Sequence, residues 1–342
     1  MSRIAVVLFN LGGPDKLAAV QPFLRNLFAD PAIIGLPAAL RVPLAELISR
    51  TRAGQAKQAY GHMGGASPLA AETERQARAL EARLQALRPD DEIRVFTAMR
   101  YWTPLTANAA EAVMGFAPHD VVLLPLYPQY STTTTASSFA QWERKFGRQG
   151  RLHGVCCYFD APGFIEAHAR LIERTWEAAG QPSPVRLLFS AHGLPERTSA
   201  AGDPYRWQIE QTAAHVAQRL GPAWDWRVCY QSRVGPMRWI GPSTIEELER
   251  ASADGVGVVI APIAFVSEHV ETLVELDRDY RSLADRLGVT PYLRVPALGA
   301  DPGYIETLAE LALAALARDG VKPGATPCKA GFGRCPHACE VA

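Results

Sequence analysis

The sequence predicts an α/β protein of two Rossmann-like lobes, each a mainly parallel sheet flanked by helices, with a cleft between them. Three observations predict it. Short β-branched runs recur along the chain, helix-like stretches of ten to twenty residues separate them, and each run ends in a polar or Gly/Pro-rich turn. The runs fall into two similar sets, before and after about residue 160, with no exact repeat at the residue level.

The first set opens with "RIAVVLFNLGG". This stretch has the apolar look of a signal sequence, but it lacks a small-residue cleavage site and leads straight into structured sequence. It reads as a first buried strand of a cytoplasmic protein. "EIRVFTAMRY", "DVVLLPLYPQYS" and "RLHGVCCYF" complete that set, and "VRLLFSAHGLP", "DWRVCYQSR" and "GVGVVIAPIAFVSEH" form the second. Between them, "ETERQARALEARLQAL", "GFIEAHARLIERTWEAA", "YRWQIEQTAAHVAQRL" and "TIEELERA" carry helical patterns. "YIETLAELALAALA" (304–317) is a final helix, and the tail after Lys322 is a Gly- and Cys-rich piece. The expected organisation is a first lobe over 1–160, a second over 161–303, and the last helix with its Cys-rich tail over 304–342.

One stretch differs. "FADPAIIGLPAALRVPLAELI" (28–48) is apolar and carries three prolines, a spacing that a core helix does not readily tolerate. It reads either as a packed helix–helix connection or as an apolar lip, about 28–50, over a pocket and against a membrane surface.

Composition narrows the function classes. The 35 basic and 35 acidic residues cancel and no Lys/Arg tract occurs, which argues against a nucleic-acid partner. No apolar run reaches the roughly 18 residues of a bilayer span. In open α/β sheets, chemistry collects at the carboxyl ends of strands. The candidates are therefore Asn10, Arg100 and Tyr101, Tyr127 to Ser131, His192, Gln231 and Ser232, and Glu268 to Glu271. An acidic row follows the last run. Glu268, Glu271, Glu275 and Asp279 are three, four and four residues apart, with His269 beside the first. On a helix that spacing stacks like charges along one face, which opposes helix formation and so calls for a reason.

"FSAHGLPERTSAAGDPY" (189–205), "YPQYSTTTTASS" (127–138), "VGPMRWIGPST" (234–244) and "APIAFVSEHVETLVELD" (261–277) together resemble the ferrochelatases, which insert ferrous iron into a porphyrin. "LFNLGGPD" and "YGHMGGASPL" (60–69) fit as well, and the similarity spans almost the whole chain in the family's order. The resemblance implies the chelatase fold, two Rossmann-like lobes with parallel four-stranded sheets. It implies a lyase that makes protohaem from protoporphyrin IX and Fe²⁺. Insertion into coproporphyrin III is the alternative within the family, and a haem or porphyrin carrier without turnover the alternative outside it. The implied partners are the porphyrin and ferrous iron, with peripheral membrane contact, in a monomer or homodimer.

The resemblance also implies roles. A porphyrin must be bent and must lose two pyrrole protons before a metal can seat, and substrate distortion can absorb roughly 1–5 kcal/mol. His192 in "SAHGLP" is implied as proton acceptor, metal ligand or both. Glu271 in "HVETL" is implied to face it. Glu268, Glu275 and Asp279 would form with it a ladder that carries protons out, guides Fe²⁺ in, or both, and His269 belongs to the same catalytic set. Glu268 stands where some members carry Asp. Family members wind this segment as a π-type helix, a feature often found at functional sites. Asn10, Leu11, Arg100, Tyr101 and Trp239 match macrocycle contacts, and Arg52, Tyr60 and Ser67 match propionate anchors. Gln231 and Ser232 end a strand toward the same cleft.

The tail "CKAGFGRCPHACE" places Cys328, Cys335 and Cys339 within twelve residues. Three thiols so close in a cytoplasmic chain suggest metal rather than disulfide. Four thiolates suit a 2Fe–2S cluster or structural zinc. The animal-type family members take the fourth cysteine right after "YPQYS", but this chain has Thr132 there. Successive strand residues face opposite sides, so only one of Cys156 and Cys157 can reach the tail. The resemblance to bacterial members with such a tail and a cysteine in this doublet implies a 2Fe–2S cluster with Cys157 as the internal ligand and Cys156 as the alternate. Cys229 reads as a buried strand residue, and His337 is a further possible ligand.

Overall fold

The computed structural model describes residues 1–342 except 148–149, 233–236, 330 and 338–342. The chain divides into two compact units. The first comprises Met1–Tyr127, Ser131–Cys156 and Leu308–Lys322, and the second Pro128–Tyr130, Cys157–Thr307 and Pro323–Ala342.

Among the described residues the first unit holds a sheet of β1 (Arg3–Asn10), β2 (Glu92–Met99), β3 (Asp120–Pro125), β4 (Arg151–Val155) and β9 (Gly320–Lys322), in the order β2-β1-β3-β4-β9. The second unit holds β5 (Val185–His192), β6 (Asp225–Gln231), β7 (Gly257–Pro262) and β8 (Tyr292–Arg294), in the order β6-β5-β7-β8. Every strand pairing is parallel. The two sheets thus repeat one winding, second-first-third-fourth. The repeat is invisible in the residues because only burial is repeated. The first sheet exceeds the expected four strands: "GVK" in β9 is too short and too polar to announce a strand, and pairing with β4 makes it one.

Burial explains the patterns. Central strands have helices on both faces, so β1, β3 and β7 are almost continuously buried and read as unbroken apolar runs. The edge strand β6 alternates at its start and becomes buried only over "CYQ". In the first unit Ala5, Val7 and Phe9 pack with Val113, Phe139 and Trp142, and Trp142 stacks on Phe146 at 4.8 Å. In the second, Leu188, Val258 and Ile260 pack with Leu248, Ala251, Leu276 and Ala284. The helix Thr244–Ala253 begins with a capping box, in which Ser243 and Glu246 satisfy each other's backbone N–H.

The proline-rich stretch departs from expectation. After turns over 30–37 the chain forms a helix, Ala38–Gly61, with Pro37 at its N-cap and Pro43 inside it. Pro37 costs no helical bond. Pro43 lies in the second turn, near an end where few backbone bonds depend on it. Leu36, Leu40, Val42 and Leu47 stay exposed, so the stretch is not core.

A buried polar knot ties the β3–β4–β9 side of the first sheet. Asp120 accepts from Arg151 Nε and Nη2, both at 2.9 Å. His153 Nε2 lies 2.9 Å from Asp120 Oδ1, and its Nδ1 lies 2.7 Å from the Arg318 carbonyl. Burial would raise the Asp120 carboxyl, but the hydrogen bonds and charge of Arg151 and His153 hold it below its ordinary 3.8. A depressed folded value contributes stability above the unfolded one, and this is lost as pH falls through the folded value. Asp120→Asn should therefore destabilise the protein at pH 7 by roughly 1–3 kcal/mol, since it strands buried His153. Urea denaturation should show the gap to wild type closing as pH drops below 3.8.

Candidate active site

His192 is the last residue of β5, and β5 is the strand at which the second sheet reverses its winding. Ligands of open α/β sheets gather outside the carboxyl ends at such a point. Beside it, β6 ends in Gln231, and after β7 the chain turns through 263–270 into a π-helix, Glu271–Tyr280. These three carboxyl-end segments supply the cluster.

His192 Nδ1 lies 2.7 Å from Glu271 Oε2. The Ser232 hydroxyl lies 2.9 Å from Glu271 Oε2 and 2.7 Å from Glu275 Oε2. Gln231 Nε2 donates to the Glu271 carbonyl at 2.9 Å and to Glu275 Oε2 at 3.0 Å. The Gln231 orientation is fixed, because its Oε1 accepts from Ser190 Oγ at 2.6 Å and so turns the amide N–H₂ toward the acids. Tyr205 OH donates to the His192 carbonyl at 3.1 Å. Ser232 sits at φ +60°, a left-handed backbone that a serine adopts only when its surroundings hold it there. The His192 side chain keeps 43% of its surface exposed, whereas Glu271 keeps 16%. The imidazole is therefore the open end of the pair and the carboxylate its enclosed support.

The electrostatics follow from this arrangement. Burial alone would lower the His192 imidazole, but Glu271, its hydrogen bond and Glu275 outweigh that and raise it. Burial would raise Glu271, yet His192 and then His269 and Ser232 pull it well below the usual carboxylate range. Glu275 is pushed up to about 7, first by burial and then by the charge of Glu271. Two carboxylates four residues apart thus differ in proton affinity because one faces the imidazole and the other faces its neighbour's charge. Both meet at one hydroxyl, whose single proton serves one acid at a time.

His269 is buried. Its Nδ1 lies 3.1 Å from the Ser267 carbonyl, which places the neutral ring's proton there and leaves the Nε2 lone pair 3.9 Å from Glu271 Oε1. Burial lowers this imidazole. The expected acidic row is split. Glu271 and Glu275 join His192, Glu268 turns to Arg294 at the end of β8, and Asp279 is exposed. Glu268 precedes the π-helix, so it does not share the row's repeat.

In the first unit, Asn10 ends β1, the strand equivalent to β5. It is buried, accepts from Leu11 N–H at 2.8 Å and donates to Thr73 Oγ1 at 3.0 Å. Leu11 is half-buried, and Gly13 passes so close to Ser67 that a Cβ would lie 2.4 Å from its Oγ. Arg100 and Tyr101 converge on Asp30. Arg100 Nη2 lies 2.6 Å and Tyr101 OH 2.8 Å from Asp30 Oδ2, which also accepts from Ser137 at 2.8 Å. Tyr101 is 1% exposed, so its hydroxyl serves this hub. Asp30 went unnoticed in the sequence because "FADPAII" looks like a turn signal. Tyr60 is buried, and Arg52 is half-buried with its guanidinium 5.9 Å from the Phe28 ring. In the second unit Trp239 is half-buried and its indole N–H has no partner among the described residues.

The thiols gather elsewhere in the second unit. Cys328 makes side-chain hydrogen bonds with Cys157 and Cys335, which hold its thiol far below the ordinary 9.0. Gln208 Nε2 donates to Cys328 Sγ at 3.0 Å while its Oε1 accepts from Tyr130 N–H at 2.6 Å. Cys157 and Cys156 are both buried, and the one that meets Cys328 is Cys157. Cys339 lies outside the described residues. Cys229 is apart, packed in the core with its thiol pushed up to about 12 by burial. His337 is buried close enough to act on Cys328 by its charge. Among the described residues no three His, Cys, Asp or Glu side chains are set to hold a single metal ion. A low-lying thiol bonded to two others nevertheless fits the donor set of a polynuclear cluster, which spreads its four sulfurs over two irons.

A family model described as Ferrochelatase matches residues 3–316. Proteins named Ferrochelatase from Phenylobacterium zucineum and Caulobacter vibrioides are 59% and 57% identical, covering 97% and 98% of this chain and 97% of each relative. Among solved structures, SirB from Bacillus subtilis with Fe³⁺ superposes with TM-score 0.53 at 13% identity, covering 90% of this chain and 93% of that one. A multi-domain Deinococcus radiodurans protein with similarity to chelatases gives 0.54 at 16%, covering 95% of this chain and 56% of that one. At such identities the two structures speak for the fold alone.

The doubly contacted hydroxyl gives a direct test. Ser232→Ala should lower kcat roughly tenfold, the effect of losing one hydrogen bond to a charged group, and leave the KM for the organic substrate unchanged. Steady-state kinetics of the variant measure both.

Proposed function

The chain belongs to the ferrochelatase family, and from that premise we propose that it inserts Fe²⁺ into protoporphyrin IX to form protohaem at His192 and Glu271. The observation that carries the assignment is the 2.7 Å contact of His192 Nδ1 with Glu271 Oε2 at the carboxyl end of β5. Glu271 holds the Nδ1 side of the ring, so Nε2 is the nitrogen that accepts a pyrrole proton or meets the metal. The imidazolium formed is stabilised by the carboxylate already in place. Protons leave through Ser232 to Glu275, whose carboxyl near 7 can take up a proton and release it at neutral pH. His269, with its bare Nε2, stands beside Glu271 as a second nitrogen donor. Imidazole and carboxylate suit ferrous iron, and so small a donor set lets the ion go on to the macrocycle.

Substrate recognition is assigned to Arg52, Tyr60 and Ser67 for the propionates and to Asn10, Leu11, Arg100, Tyr101 and Trp239 for the macrocycle. Arg100 and Tyr101 would act from behind the macrocycle-facing wall, bracing it through Asp30, since Tyr101 is buried and their polar atoms are engaged. The exposed Leu36, Leu40, Val42 and Leu47 support peripheral contact with the inner face of the cytoplasmic membrane, from which a lipophilic porphyrin would be drawn. They favour protoporphyrin over the more carboxylated coproporphyrin. No helix of the described residues is long and apolar enough to cross a membrane.

The tail would hold a 2Fe–2S cluster through Cys157, Cys328, Cys335 and Cys339. When bound, such a cluster supplies a one-electron redox couple and a covalent staple for the chain's end. Iron insertion itself needs no electron transfer, so the role assigned is structural or redox-sensing.

Two experiments test these assignments. His192→Ala should lose nearly all metal insertion, at least roughly a hundredfold as for removal of a general base, while binding porphyrin as before. Insertion and fluorescence-quenching titrations, each run with protoporphyrin and coproporphyrin, decide it, and a wild-type kcat refutes it. Cys335→Ser should abolish visible absorption and acid-labile sulfide in the purified protein; a colourless wild type would remove the cluster.

A further inference from the structure

Glu268, the acid of the row that turns away from His192, shares its partner with Asp277 of the π-helix. Arg294 Nε and Nη2 grip Asp277 Oδ1 and Oδ2 at 2.9 and 2.6 Å, and its Nη1 lies 2.5 Å from Glu268 Oε1. Glu268 Oε1 also accepts from Ala297 N–H at 2.9 Å. The Arg294 side chain is 11% exposed, Glu268 20% and Asp277 31%, so the triad is largely withdrawn from water. Burial would raise the Glu268 carboxyl, but Arg294 keeps it below the usual range and hence ionised.

This pairing has a consequence for the metal. Glu268 is three residues from Glu271, with His269 between them. A divalent cation approaching His192 would meet Glu271, Glu275 and, if it were available, Glu268 as well. Such an oxygen-rich cage binds a hard or borderline cation tightly, and an enzyme that must hand the ion on loses by holding it. The planar guanidinium can serve a bidentate carboxylate and a second carboxylate at once, which an ammonium cannot.

We propose that Arg294 is a positioning residue for the metal step: anchored on Asp277, it withholds Glu268 from the cation, so that Glu271 and Glu275 alone serve His192. This rests on the assignment of His192 and Glu271 as the insertion centre. Arg294 touches neither substrate nor reacting atoms; it sets the charge that the ion meets.

The test uses zinc as the probe cation with protoporphyrin, and compares wild type, Arg294→Gln, Arg294→Lys, Arg294→Gln with Glu268→Gln, and His192→Ala. Arg294→Gln should lower the KM for zinc and kcat together, each roughly tenfold, with the KM for porphyrin unchanged. Adding Glu268→Gln should return both constants most of the way, because the released charge is then gone. Arg294→Lys, which keeps the charge but can grip only one acid, should fall between and serves if the Gln variant does not fold. An unchanged zinc KM in Arg294→Gln and Arg294→Lys, with His192→Ala inactive, overturns the inference and leaves the centre standing. A loss in Arg294→Gln that Glu268→Gln does not relieve overturns it as well, by showing a merely structural role. Insertion that survives in His192→Ala overturns the centre and the inference together.

Discussion

A carboxylate removed from water persists in ionised form only where charge and hydrogen bonds replace its hydration. Glu271 meets that condition through the His192 imidazole and the Ser232 hydroxyl. The surrounding second unit is arranged around the requirement. Ser190 orients Gln231, Gln231 and Ser232 reach the two acids, and a strained serine backbone brings the hydroxyl to both. The π-helix belongs to the same solution. A widened turn places Glu271 and Glu275 on one hydroxyl while Thr272, Val274 and Leu276 are buried. An unusual helix costs backbone energy, and such segments persist where the side chains it aligns are used.

The two sheets make a related point about how a fold offers sites. Each is wound second-first-third-fourth, so β1 and β5 hold equivalent places, and their last residues are Asn10 and His192. One end is fitted with an amide that is fully engaged by Leu11 N–H and Thr73. The other is fitted with an imidazole whose ring keeps an open side. The same topological position therefore provides an engaged amide in one unit and an open imidazole in the other. Sequence alone decides which.

Much of this was legible in the chain because burial writes itself into residue type. Unbroken apolar runs marked β1, β3 and β7, and the turn at each run's end marked His192, Gln231 and the Glu271 segment. The spacing of the acids announced a face that needed a reason, but not how it would be divided. That depends on Arg294, which is close to the acids only after β8 joins β7, and nothing in "PYLRVPALG" signals it. Asp30 and Gln208 were missed for the same reason: each acts on residues 70 or more positions away along the chain. Short strands such as β9 are decided by the neighbour they find. Pro43 shows the converse, a local rule overridden near the end of a long helix.

The distribution of donor atoms suits an ion that must be handed on. Thiolates bind iron strongly and hold it, whereas imidazole and carboxylate bind it and exchange it. The thiols of Cys157, Cys328 and Cys335 come together in one place, and among the described residues no cysteine is a partner of His192, Glu271 or Glu275. Cys229 comes from the strand that also supplies Gln231, yet it points into the apolar core, where burial keeps its thiol protonated. A thiolate at the carboxyl end of β6 would compete with the macrocycle for the ion it is meant to receive. Keeping sulfur out of that cluster, and keeping its carboxylates few, are two expressions of one requirement: an ion in transit must find donors good enough to strip its water and poor enough to lose it again.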